Sequence, residues 1–138
     1  MMRILLDTDV ILDLMLDRPG FADAAAILWQ AHEQERLEAY VSAITPVNVY
    51  YIARKLKGAE IARQAVRDIV TTLRVCPLDH ASLVSALDSS LTDYEDAVQY
   101  ASAVALQLDG IVTRNTEDYR GAAITIYSPA ELAKQFSA

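Results

Sequence analysis

Cysteine is almost absent from this chain. Cys76 stands alone, so no internal disulfide and no multi-cysteine metal site can form. Histidine is nearly as scarce, and His32 and His80 leave too few ligands for a histidine-rich zinc site. Basic charge is also short: 12 Lys and Arg face 19 Asp and Glu, a formal net charge of −7. That balance argues against broad nucleic-acid binding, which shows a basic footprint. No apolar run approaches the about 20 residues needed to span a membrane. Met1-Met2-Arg3 leads into a short apolar run that soon meets Asp7, unlike a signal peptide. Linkers, repeats and low-complexity segments are missing as well. A single domain over residues 1–138, in the cytoplasm, is the expectation.

What the chain does contain is apolar residues, at 53% of the total, and acids. The first can fill a core and excludes intrinsic disorder. The second, with cysteine and histidine so few, means that any metal would be held by carboxylates. Oxygen ligands of that kind suit magnesium or manganese. A bound divalent cation would also invert the local acidic field.

Apolar periodicity predicts strands separated by helices. Strands are expected at residues 4–6, 39–41, 74–78, 110–113 and 123–126. Helices are expected at 10–16, 21–37, 45–56, 59–73, from 79 or 80 to 88, at 93–108 and after Ser128-Pro129. Thr45-Pro46 has the form of a hydroxyl cap followed by proline at the first helical position, and Gly58 would end that helix. The alternation indicates an α/β fold with a small parallel sheet of four to five strands, covered by helices on both faces.

Three acidic clusters lie at element boundaries. The opening Arg3-Ile4-Leu5-Leu6-Asp7-Thr8-Asp9-Val10-Ile11-Leu12 is a buried strand that ends in a carboxylate. Ligands of open α/β sheets bind at the carboxyl ends of strands, so Asp7 is a candidate cation ligand, or else a cap of the next helix. Asp9 suits the capping role better, and Asp13 is expected to be a solvated surface acid. In Thr92-Asp93-Tyr94-Glu95-Asp96, either Thr92 with Glu95 or Asp93 with Asp96 would cap the helix. Asp96 borders the stripe of Ala97, Ala101, Val104, Ala105 and Leu108, where a desolvated carboxylate needs a cation or a donor. The third cluster, Thr113-Arg114-Asn115 onward, is either a polar turn or a set of side chains at the same sheet edge as Asp7 and Asp96.

Two phosphate-chemistry folds fit less well. A phosphoacceptor receiver needs an aspartate after a central strand and a lysine after a late one. Here Ser42 and Arg114 hold the matching places. An aspartyl-phosphate phosphatase could use the Asp7-Thr8-Asp9 spacing, but the chain looks too short for its cap insertion.

Nearly the whole chain resembles the PIN domain, the fold of VapC-type toxins and related ribonucleases. Leu5-Leu6-Asp7-Thr8-Asp9-Val10-Ile11-Leu12 is similar to the family's first motif and Ser42-Ala43-Ile44-Thr45-Pro46-Val47-Asn48 to its second. Asp93-Tyr94-Glu95-Asp96-Ala97 is similar to the third, and Val112-Thr113-Arg114-Asn115-Thr116-Glu117-Asp118-Tyr119 to the fourth. The resemblance implies a three-layer α/β/α domain and metal-dependent hydrolysis of RNA by the toxin of a toxin–antitoxin pair. It implies Mg2+ or Mn2+ on Asp7 and Asp96, with Asn48, Asn115 and Asp93 completing the catalytic set. Thr113, Arg114 and Asp118 would position substrate, Arg114 through the RNA backbone. Asp93, Glu95 and Asp118 stand near as further acids. The chain departs from the pattern at Asn48, where the second motif usually carries glutamate. An amide can orient a water but brings no charge, so a PIN domain that binds RNA or a protein without cleaving is the alternative. Arg54, Lys55 and Lys57 would complement a helix dipole or touch RNA. The apolar helix with Val47, Val49, Tyr50, Tyr51 and Ile52 would serve the core, and also a homodimer contact or an antitoxin helix.

Overall fold

In the computed structural model residues 1–137 are described. Five strands pair in parallel: β1 (Arg3–Leu6), β2 (Glu38–Ser42), β3 (Arg74–Cys76), β4 (Gly110–Val112) and β5 (Thr125–Tyr127). Their order across the sheet is β3-β2-β1-β4-β5. Between them run α1 (Thr8–Met15), α2 (Ala22–Glu33), α3 (Ile44–Lys57), α4 (Ala59–Thr72), α5 (His80–Leu87), α6 (Tyr94–Ala105) and α7 (Pro129–Phe136). A short 3₁₀ helix, Thr116–Tyr119, follows β4 where only a polar turn was expected.

Side chains of a strand point alternately to opposite faces, so this sheet separates two cores. Ile4, Leu6, Ala39, Val41 and Val112 face one side. They pack there with Val10 and Ile11 of α1, Leu28 of α2, Val49 of α3, Ile69 of α4 and Leu132 of α7. Leu5, Tyr40, Cys76 and Ile111 face the other side, against Ala86 of α5, Ala97, Val98 and Ala103 of α6, and Tyr119. The result is the three-layer α/β/α arrangement. Strands buried on both faces read as continuous apolar runs, as Ile4-Leu5-Leu6 does. Among the described residues no helix is long and apolar enough to cross a membrane.

Several helix ends depart from expectation. Asp7, not Asp9, is the N-cap of α1: its extended backbone lets the carboxylate accept from Asp9 N. Helix α3 begins one residue before Thr45, with no side-chain cap on Ala43. The Thr45 hydroxyl is withdrawn into the interior, where it meets Thr8 Oγ1 at 2.9 Å. Helix α6 uses the Asp93 option, its Oδ1 accepting from Asp96 N at 3.0 Å. Gly58 ends α3 and starts α4 at φ +94°, a backbone that other residues rarely adopt. Strand β3 stops at Cys76, one residue before Pro77, which cannot donate to the ladder.

Gly110 sets the spacing of the β4–β5 edge. A Cβ there would lie 2.6 Å from the Tyr127 ring and 3.0 Å from the Thr125 carbonyl oxygen. The ring can shift, but the paired backbone cannot follow freely. Gly110→Ala is therefore expected to lower unfolding free energy by about 1–3 kcal/mol, the usual scale of overpacking. Urea denaturation reads this directly, and an unchanged midpoint would mean that the edge relaxes without cost.

Candidate functional site

The chain leaves β1 for β2 on one side and later returns to β4 on the other, so the order reverses beside β1. A crevice forms at the carboxyl ends of strands where such a reversal occurs. Asp7 sits at that point, its backbone N–H extending the ladder to Val112 O at 2.9 Å.

Its side chain is buried, and both carboxylate oxygens have donors. Oδ1 accepts from Gln99 Nε2 at 3.1 Å, and Oδ2 from the Tyr119 hydroxyl at 3.1 Å. The same hydroxyl lies 3.4 Å from Asp96 Oδ1, and so links the two acids. Gln99 is fully buried, and its Oε1 accepts from Thr8 N at 3.1 Å. A buried amide must use both ends in this way. The result is a continuous polar layer from α1 through α6 to the 3₁₀ helix.

Above this layer opens a cleft of about 480 Å³. Asp7, Asp9, Asn48, Asp93, Glu95, Asp96, Asn115 and Asp118 all line it, together with Tyr51 and Ile52. Among the residues singled out from the sequence, Asp7, Asp96, Asn48, Asn115, Asp93 and Asp118 thus come together. Thr113 and Arg114 are not in the lining. Thr113 is buried, and its Oγ1 accepts from Asn115 N at 3.1 Å, which shapes the turn that presents Asn115. Asn115 Nδ2 donates to Asp9 Oδ2 at 3.1 Å.

Arg114 turns towards Asp13. Asp13 is not a solvated acid: it is 1% exposed and ion-paired through Oδ2 with Arg114 Nε at 2.9 Å and through Oδ1 with Arg18 at 3.4 Å. The Nε–H of Arg114 is not aligned for a hydrogen bond, so this contact is charge pairing. The guanidinium also lies 4.0 Å from the Phe21 ring centroid.

Sequence reasoning gave no role to Gln99, and treated Thr8 and Tyr119 only as parts of motifs. Gln99 carried one usable signal, an amide three positions after Asp96 within an alanine-rich helix. Nothing local marks the Tyr119 hydroxyl as a partner of Asp7, since 112 positions separate the two.

Burial, and after it the crowding of acids, governs the electrostatics. Burial, then the charge of Asp7, pushes the Asp96 carboxyl up to about 7. The same causes in the same order bring Asp9 to about 7, with partial opposition from Arg114. Burial also raises Glu95, against the hydrogen bond from Asn48. Burial and the nearby carboxylates raise the Tyr119 phenol, which keeps its proton to donate. Asp9 Oδ1 is buried and has no hydrogen-bond partner. Among the described residues no three His, Cys, Asp or Glu side chains converge as a ready-made metal cage. A carboxylate pair completed by waters is nevertheless how magnesium is commonly held, and all donors here are hard oxygens.

Two outcomes follow. Asp9 and Asp96 titrate near 7 in the folded chain against 3.8 ordinarily, so they bind protons more tightly folded than unfolded. Their contribution to stability therefore declines as pH rises from 3.8 towards 7 and is then flat. Removing the Asp7 charge should flatten that decline. Urea unfolding of metal-free wild type and Asp7→Asn, at about pH 5 and about pH 7.5, measures the difference; equal slopes would count against it. Separately, Arg114→Ala leaves Asp13 buried with a single partner. Unfolding free energy should drop by about 3 kcal/mol, the lower end for breaking a buried ion pair. An unaltered denaturation midpoint would show Arg114 to be dispensable for the fold.

Comparisons with known proteins agree with this geometry. The family profile described as "PIN domain" matches residues 3–117. No curated protein sequence matches the chain. Among solved structures, a toxin–antitoxin complex from Klebsiella pneumoniae matches with TM-score 0.67 at 25% identity, over 91% of this chain and 97% of that one. DNA-bound VapBC from Salmonella typhimurium gives TM-score 0.72 at 17% identity, over 94% and 99%. VapC20 of Mycobacterium tuberculosis, described as a sarcin-ricin loop cleaving toxin, gives 0.64 at 15%, over 78% and 86%. With the family profile spanning residues 3–117, from β1 through β4 and both Asp7 and Asp96, this chain belongs to the PIN domain family.

Proposed function

We propose that this PIN domain is a metal-dependent endoribonuclease and the toxin of a toxin–antitoxin pair. The observation that carries the reading is the gathering of Asp7, Asp96, Glu95, Asp9 and Asp118 around one cleft at the carboxyl ends of β1 and β4. So much unneutralised acid is unfavourable for the fold by itself and suits a divalent cation. The oxygen donor set fits Mg2+ or Mn2+, and Asp9 Oδ1 is a buried acceptor with no protein donor. The toxin assignment draws support from the toxin–antitoxin proteins among the structural neighbours.

Asp7 and Asp96 would hold the ion, Asp7 with its carboxylate plane set by Gln99 and Tyr119. A bound divalent ion would lower the pKa of a coordinated water and neutralise charge on the attacked phosphate. Asp93 caps α6, which fixes the direction of the turn that carries Asp96. Asn115, held by Thr113 and Asp9, and Asp118 stand at the cleft lining, where they would position the phosphate. Water attacks phosphorus as the bond to one bridging oxygen breaks, and the leaving oxygen takes up a proton.

Helix α3 runs from this cleft to Arg54, Lys55 and Lys57, all exposed. It buries Val49 and Ala53 and exposes Val47 and Tyr51, one turn apart on one face. That exposed apolar pair suits an antitoxin helix or a second copy of the chain.

The test is cleavage of a mixed RNA pool by partner-free protein, with magnesium, with manganese and with EDTA. Cleavage should require metal and should fall by two or more orders of magnitude in Asp7→Asn and in Asp96→Asn, on the order of a lost charge-stabilising group. A folded wild-type protein that cleaves no better than these variants would move the assignment to an RNA- or protein-binding role.

A further inference from the structure

We propose that Glu95 supplies the metal-facing carboxylate that α3 lacks, with Asn48 as its positioning residue. Position 48 lies on the cleft wall, but its amide carries no charge. Directly across the cleft, on the first turn of α6, Glu95 meets it. Asn48 Nδ2 donates to Glu95 Oε2, and Thr8 Oγ1 lies within 3.3 Å of the same oxygen. Thr8 is itself fixed, by Thr45 Oγ1 at 2.9 Å and by Gln99 through its backbone N–H. Two elements, α1 and α3, thus hold one carboxylate oxygen of a side chain carried by α6. The other oxygen, Oε1, accepts no hydrogen bond from the described residues.

A merely solvated first-turn acid would need no such support. Glu95 is only partly exposed and lines the same cleft as Asp7 and Asp96. One oxygen held by donors and one left open is the arrangement expected of a ligand oriented by its surroundings. The charge account agrees. Asparagine at 48 with glutamate at 95 places one negative charge where these two side chains meet. Glutamate at both would place two charges within hydrogen-bonding distance, which is repulsive. Asn48 is therefore a donor matched to Glu95, not a weakened ligand in its own right.

Glu95 has this role only if the cleft binds a divalent cation, as proposed above. Magnesium binding without RNA provides the readout, followed by calorimetric titration and by the rise in Tm with added magnesium. Glu95→Gln keeps the shape of the side chain and should weaken binding on the order of tenfold or more, the scale seen when the shell around a metal is disturbed. Asn48→Ala should weaken it less, because the charge stays and only its orientation is lost. The charge exchange, Asn48→Glu with Glu95→Gln, should recover most of the affinity lost in Glu95→Gln alone. A merely structural role for the pair would not give that recovery. Wild-type affinity in Glu95→Gln would overturn the proposal, as would an exchange variant no better than the single one. If wild type shows no magnesium response, the metal reading itself fails. If wild type responds, and Asp7→Asn loses the response while Glu95→Gln keeps it, only the role of Glu95 is wrong.

Discussion

Everything around the cleft depends on one buried carboxylate, Asp7, at the end of the central strand. A charge withdrawn from water is costly unless donors replace the water. Here the donors are Gln99 and Tyr119, and each comes from a different element. Gln99 must stand on the inner face of α6, and its other end then holds Thr8 at the start of α1. Tyr119 must be brought back over the sheet edge, which the 3₁₀ helix after β4 accomplishes. Each hydrogen bond to a charged group is worth about 1.5–3 kcal/mol, so this small layer adds a directional link between α1, α6 and the 3₁₀ helix to the apolar packing below it.

Two kinds of acid follow from that arrangement. Asp13, one turn further along α1, is buried among cations and forms a closed ion-paired unit with Arg18 and Arg114. Asp7, Asp9 and Asp96 have no cation beside them in the cleft lining among the described residues, and burial, with the charge of Asp7 added, raises the Asp9 and Asp96 carboxyls. Perturbation of this kind clusters where chemistry is done, because a fold under selection for stability alone would not keep it. The start of α1 therefore carries acids that face the cleft and, four to six residues on, an acid closed into an ion pair, and their surroundings alone distinguish them. Asn48 belongs to this logic as well. Its amide satisfies a neighbouring carboxylate where another acid would add to the repulsion.

Much of this was visible in the sequence, and for definite reasons. Strand and helix order follows from apolar periodicity, which is a local property. The run Ile4-Leu5-Leu6 announces a strand buried on both faces, and Gly58 announces a helix end. Asp7 and Asp96 stand out because an acid at the border of an apolar segment is unusual without a partner. The sequence thus determined the α/β class, the elements and the acids that could meet. Which of them do meet depends on how the sheet and helices pack. That packing turned Arg114 and Asp13 towards each other, drew Thr45 inward from a helix cap, and set Gln99 and Tyr119 beneath Asp7. Those partners lie between 37 and 112 residues apart. Hydrogen bonds and ion pairs at such separations leave no periodic trace along the chain. They exist only once the parallel sheet has brought the carboxyl ends of β1 and β4 side by side.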